Sequence, residues 1–205
     1  MSLRAPGDPE FDRIRWMLNC TPVITDAVVE KVCGALLIDP GRWPGPEPWH
    51  VCGFDAFDGA AGVVAELRDM GFPVVVLSNG PVTAAHRIHA LQARLPTVSR
   101  IYTSYAMGMR KPDPRLWQQI ASDLGLRTNE ILHVGDQWSN DILGAANAGC
   151  YALHLATREQ PPHPSTWPNP LTSRTVALGT SIRDTIPALH GFNATLTEGA
   201  YRCGS

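Results

Sequence analysis

Paired cysteines, a charge bias and long apolar runs are all missing from this 205-residue chain. Each absence closes off a class of answer. The five cysteines, Cys20, Cys33, Cys52, Cys150 and Cys203, are odd in number, scattered and never in a CxxC pair, so neither a disulfide framework nor a zinc site is indicated. A reducing cytoplasm is the expected setting. A formal net charge of −2 with 18% charged residues provides no basic field for nucleic acid and no acidic tail. No apolar run is long enough to span a bilayer, and the opening MSLRAPGDPEFDR has no apolar core of signal-peptide length. The expectation is a cytoplasmic protein with neither membrane nor nucleic acid as partner. With no internal repeat and 44% apolar residues, the chain suffices for one sizeable core and at most a small appended module.

Helical periodicity opens the ordered part. FDRIRWMLNC spaces Phe11, Ile14, Met17 and Leu18 on one face, and DAVVEKVCGALL does the same with Val28, Val29, Val32, Leu36 and Leu37, which predicts two short amphipathic helices. PGRWPGPEPW, with four prolines and two glycines, marks a link. From Gly59 the rhythm alternates. GAAGVVAELRDMG, VTAAHRIHALQARL, PRLWQQIASDLG and NDILGAANAG read as helices, and PVVVLSNG, SRIYTSY, EILHVG and CYALHLA as strands. PVVVLSNG is apolar enough to be a strand buried on both faces of a parallel sheet. REQPPHPSTWPNP reads as a proline-rich loop and TVALGTSIRDTIPALHGF as a last strand and helix. The fold class is therefore α/β, a Rossmann-like parallel sheet with helices on both faces, whose ligands sit beyond the carboxyl ends of the strands.

Three polar motifs fall at such strand ends. Ser78 and Asn79 in VVVLSNG offer a hydroxyl and backbone N–H groups that can seat a phosphate oxygen, though a plain turn would use the same residues. Lys111 in RKPDP precedes a helix start, where the dipole does not favour a cation, and so suggests an anion to pair with. Its bland reading is a surface lysine. Gly135-Asp136 followed by Asp141 in ILHVGDQWSND places two carboxylates to hold a hard cation such as Mg²⁺, or a helix cap and a solvated acid. The bland readings fail jointly, because three such features occur in order at three strand ends.

On LSNG, RKPDP and HVGDQWSNDILGAANAG, in that order, the chain resembles the haloacid dehalogenase-like (HAD) hydrolases from about Phe54 to about Leu189. The resemblance implies phosphoryl transfer through an aspartyl-phosphate with Mg²⁺, and a substrate that is a small phosphorylated molecule. Ser78 and the Asn79 amide would bind the phosphate, Lys111 would neutralise it and the nucleophile, and Asp136 with Asp141 would hold the metal. Residues 1–50 would be an N-terminal arm and a partial helical cap, 51–192 the α/β core and 193–205 a tail.

The family's first motif, an apolar strand ending in DxDx[TV], does not occur in these 205 residues. The expectation is that the chain starts inside the cap, with a weak or incomplete Mg²⁺ site and impaired or absent hydrolysis. The alternatives are a catalytically dead member that binds a phosphorylated ligand or a protein, and an incomplete gene product. A parallel sheet without that strand would pair with a second copy, close on another segment or aggregate. VCGFDAFDGA imitates the motif with Asp55 and Asp58, but the second Asp falls at +3 rather than +2, so a loop and helix N-cap are expected there. Asp26 is read as a carboxylate in a helix's first turn, and His86 and His89 as helix surface. Trp16, Trp43 and Trp49 are read as cap packing, and Trp138 as either packing or facing a substrate.

Overall fold

Helix boundaries follow from caps in the sequence. The computed structural model describes residues 8–42, 58–82, 85–156 and 176–192. Helix α1 (Pro9–Asn19) starts on Asp8, whose carboxylate accepts from the Glu10 and Phe11 N–H groups, and α2 (Asp26–Leu36) starts on Thr25 in the same way. Asp26 occupies the first turn of α2 and is exposed. Helix α3 (Ala60–Asp69) is closed by Gly71 at φ +88°, a left-handed geometry that only glycine adopts without strain. The remaining elements are β1 (Val75–Ser78), α4 (Ala85–Arg94), β2 (Arg100–Thr103), the single turn α5 (Ser104–Met107), α6 (Pro114–Leu124), β3 (Leu132–Gly135), α7 (Leu143–Asn147), β4 (Tyr151–Leu155), β5 (Val176–Gly179) and α8 (185–192).

The described residues fall into two compact units. The first holds the residues up to Arg42 together with Phe72–Arg110, and the second those from Asp58 to Gly71 together with Lys111 onward. In the first, β1 and β2 pair in parallel from Val75↔Arg100 to Ser78↔Thr103, and α1 packs on α2 and α5. Buried Ser104 fastens these parts: its Oγ donates to the Asn19 carbonyl at 2.6 Å and accepts from the Gly80 N–H at 3.1 Å. Trp16 is 45% exposed, with the Arg110 guanidinium 4.7 Å from its ring centre.

In the second unit, β3, β4 and β5 form a parallel sheet in that order. Its core includes Leu116, Trp117 and Ile120 of α6, Ala145 of α7, and Ala152 and Leu153 of β4. Every strand pairing described is parallel, and β1–α4–β2 and β3–α7–β4 are the crossovers that such pairing requires. The architecture is α/β and Rossmann-like.

Three expectations change in detail. Strand β1 is only half-buried along its length, and the strand beside it among the described residues is β2. SRIYTSY is a strand only to Thr103, since Ser104 turns inward to its hydrogen bonds and starts α5. NDILGAANAG begins as a wide π-type turn, Trp138–Ile142, before α7. The linker that holds Trp43, Trp49 and Asp55, the proline-rich loop after β4 and the C-terminal tail lie outside the described residues.

Candidate active site

The end of β3 delivers the acidic loop. At Gly135 a Cβ would lie 2.5 Å from Cβ and Cγ of Asp141, so the glycine is what lets the Asp141 side chain fold back over the strand end. Asp141 is held there at both oxygens. Its Oδ1 pairs with Lys111 Nζ at 2.5 Å and with His133 Nε2 at 3.2 Å, while Oδ2 accepts from the Gln137 N–H at 3.1 Å. The Asp141 side chain is 5% exposed and that of Lys111 13%. Burial alone would raise the Asp141 carboxyl, but the His133 hydrogen bond and the Lys111 charge outweigh it and hold it well below the usual carboxylate range. Burial pushes the His133 imidazole down, more than its hydrogen bond to Asp141 raises it, so the ring is neutral at pH 7. A carboxylate can only accept, which assigns the proton of that ring to Nε2.

Asp136 is half-buried at the start of the same loop. Its carbonyl accepts from His154 Nε2 at 3.0 Å, and His154, fully buried in β4, stands opposite Gly135 in the sheet register. Trp138 meets the His154 ring edge-on at 5.4 Å, which is a packing role. The structure thus brings Lys111, Asp141 and His133 into one cluster, with Asp136 on the adjoining turn.

Ser78 and Asn79 lie in the other unit, at the end of β1. The next amide, that of Gly80, is already given to Ser104, and α4 is described from Ala85. Asp58 is exposed ahead of α3, and His89 is exposed on α4. His133, His154 and Ser104 were not singled out from the sequence. The only signal for the histidines is a basic ring inside each of two apolar strands, LHVG and YALHL.

A metal finds little here. Among the described residues no group of three or more His, Cys, Asp or Glu side chains is placed to hold one. Asp141 is committed to Lys111, and Asp136 alone cannot make an oxygen shell. The described residues by themselves do not fit a Mg²⁺ site.

Residues 47–149, half of the chain, match the family described as haloacid dehalogenase-like hydrolase. The chain belongs to that family. Among curated HAD relatives, the phosphoserine phosphatase of Thermus thermophilus is 32% identical over 111 residues, covering 54% of this chain and 44% of that protein. The glyceraldehyde 3-phosphate phosphatase of Methanopyrus kandleri is 27% identical over 90 residues, 44% of this chain and 39% of that protein. The chain spans less than half the length of these HAD relatives. The 2-haloacid dehalogenase of Pseudomonas syringae superposes with a TM-score of 0.60 at 17% identity, covering 91% of this chain and 82% of that one, which speaks for the fold. Among the described residues, no helix is long and apolar enough to cross a membrane.

Proposed function

We propose that the chain carries the charge-neutralising part of a phosphatase that acts on a small phosphate ester. The observation that carries this reading is the buried Lys111–Asp141 pair at the end of β3. A lysine held on a carboxylate at a strand end is a cation kept in place for an anion, and phosphoryl transfer depends chiefly on such positioning and neutralisation. The curated relatives named above are phosphatases of small phosphorylated molecules, which supports the substrate class. Ser78 and the Asn79 amide are the proposed phosphate contacts and Lys111 the neutralising cation. Asp136 is the proposed Mg²⁺ ligand. Asp141 would join it only by giving up part of its hold on Lys111, so weak Mg²⁺ affinity is expected from this chain alone.

Aspartyl-phosphate chemistry needs an attacking carboxylate, and DxDx[TV] is absent from the 205 residues. Purified as it stands, the chain is expected to show no Mg²⁺-dependent hydrolysis of an aryl phosphate above background. It should still bind inorganic phosphate, more weakly after Lys111→Ala. Supplying an upstream segment with DxDx[TV], if the coding DNA holds one in frame, should bring turnover that Lys111→Ala removes. Clear turnover by the 205-residue chain, lost on Asp55→Asn, would overturn the reading of VCGFDAFDGA as a loop. Loss of phosphate binding altogether would remove the phosphatase assignment.

A further inference from the structure

Lysine is scarce in this protein: of its 17 basic side chains other than histidine, two are lysines, Lys31 and Lys111. An ammonium on a four-carbon stem has many rotamers to lose. It stays in one place only if what it pairs with does. Asp141, with which it pairs, lies 30 residues away in sequence, on the wide turn after β3, and two contacts besides Lys111 fix it. One is the Gln137 N–H on Oδ2, a contact local to the turn. The other is His133 on Oδ1, and it ties the carboxylate to the sheet rather than to its own loop. His133 is itself fixed: its ring stands edge-on to Trp117 at 5.2 Å with an interplanar angle of 90°, and Trp117 is 1% exposed. Gly144 lets Trp117 lie there, because a Cβ at 144 would collide with the indole ring.

We propose that His133 is a positioning residue for Lys111: through the shared oxygen Oδ1 of Asp141, its Nε2–H holds the carboxylate that holds the ammonium. The importance of that ammonium for phosphate rests on the phosphatase reading. The hold itself does not. A packing role alone would be served by any side chain of similar size, whereas the positioning role requires a donor at the Nε2 place.

Acylation of the folded chain by a limiting amine reagent, read peptide by peptide by mass spectrometry, separates the two roles, with exposed Lys31 on α2 as internal reference. In the wild type Lys111 should react much more slowly than Lys31. His133→Leu should speed Lys111 about tenfold, the low end of what a hydrogen bond to a charged group is worth, and leave Lys31 unchanged. His133→Gln, which keeps a terminal N–H donor, should return Lys111 close to the wild-type rate. Lys111 unmoved in His133→Leu, or equally fast in the Leu and Gln variants, would overturn the proposal. If His133→Leu fails to fold, wild-type protein labelled with ¹⁵N decides. The His133 ring must then be the Nε2–H tautomer, with an Nε2 resonance that moves on Asp141→Asn; an Nδ1–H tautomer would exclude the bond. No readout needs turnover, so an inactive chain bears on the proposed function and leaves this inference standing.

Discussion

Strands β3 and β4 are neighbours in one sheet and similarly apolar, LHVG against YALHL, yet the middle of β4 is buried while β3 is half-exposed throughout. Composition does not separate them; the number of neighbours does. β4 is paired on both sides, by β3 and β5, whereas β3 among the described residues is paired on one. β1, in the other unit, matches β3 in having one described partner and half-burial along its length. β3 and β4 also carry a histidine each, and the two rings act differently. His154 of β4 reaches a backbone carbonyl, that of Asp136, and His133 of β3 reaches a side chain, that of Asp141. The doubly paired strand supports the loop's backbone, and the singly paired one takes part in its charge cluster.

The comparison would break if the second edge of β3, beside which no strand lies among the described residues, were satisfied in solution. An apolar strand edge left open invites pairing with another chain. The chain is therefore expected to self-associate, as a homodimer or larger, rather than run at its own mass of 22.3 kDa. Light scattering across a dilution series measures this. A species that persists at micromolar concentration corresponds to about 8 kcal/mol of association free energy, the largest effect anticipated here. A concentration-independent monomer with a sharp thermal transition would show that the edge is closed within the chain.

Next in size is the end of β3. Gly135→Ala puts a methyl 2.5 Å from Cβ and Cγ of Asp141, and there is no flexible end to move aside. The carboxylate must leave Lys111, and breaking a buried pair costs about 3–5 kcal/mol. Urea denaturation should register that loss. Gly179→Ala, at the end of β5, meets Asp184 Cβ at 2.9 Å, but that carboxylate caps exposed amides of Thr180 and Ser181, so a smaller loss is expected. Equal losses at the two positions would mean that Gly135 serves the backbone and not Asp141.

What the sequence made legible was local. FDRIRWMLNC and PRLWQQIASDLG are helices as read, with Gly125 at φ +67° ending α6, while the start of α1 at Asp8-Pro9 lies ahead of the stretch whose periodicity announced it. The order of LSNG, RKPDP and GD…D gave the family and therefore the fold. Long-range contacts were not legible. Ser104 bonds to a carbonyl 85 positions away, and Lys111 pairs with a carboxylate 30 positions on. Nothing in SRIYTSY or RKPDP names those partners. The π-type turn at Trp138–Ile142 was missed for a related reason. Periodicity reports which face of a helix is apolar, and this turn is set by a carboxylate that must point back to Gln137, His133 and Lys111.

RKPDP sharpens the contrast at its smallest, because two residues after the buried Lys111 it holds an ion pair that water reaches. Asp113 caps α6, accepting from the Arg115 N–H at 3.0 Å, and pairs with an Arg115 side chain that is 72% exposed. The Arg115 hydrogen bond, more than its burial opposes, keeps the Asp113 carboxyl below its ordinary value. A folded value below the unfolded one, about 3.9 for aspartate, means that the unfolded chain binds protons first as the solution is acidified. The charge's contribution is thus complete above about pH 4 and is lost as pH falls through the folded value. Asp113→Ala should cost about 1 kcal/mol at pH 7, the usual worth of an N-cap. Asp113→Asn keeps the acceptor and removes the charge, so it should cost only a few tenths of a kcal/mol, as an exposed pair does. Urea midpoints of wild type and Asp113→Asn should converge as pH is lowered from 7 towards 3. A gap that widens on acidification would reverse the sign argued for Asp113, and a loss at pH 7 as large as that of Gly135→Ala would erase the difference between the exposed pair and the buried one.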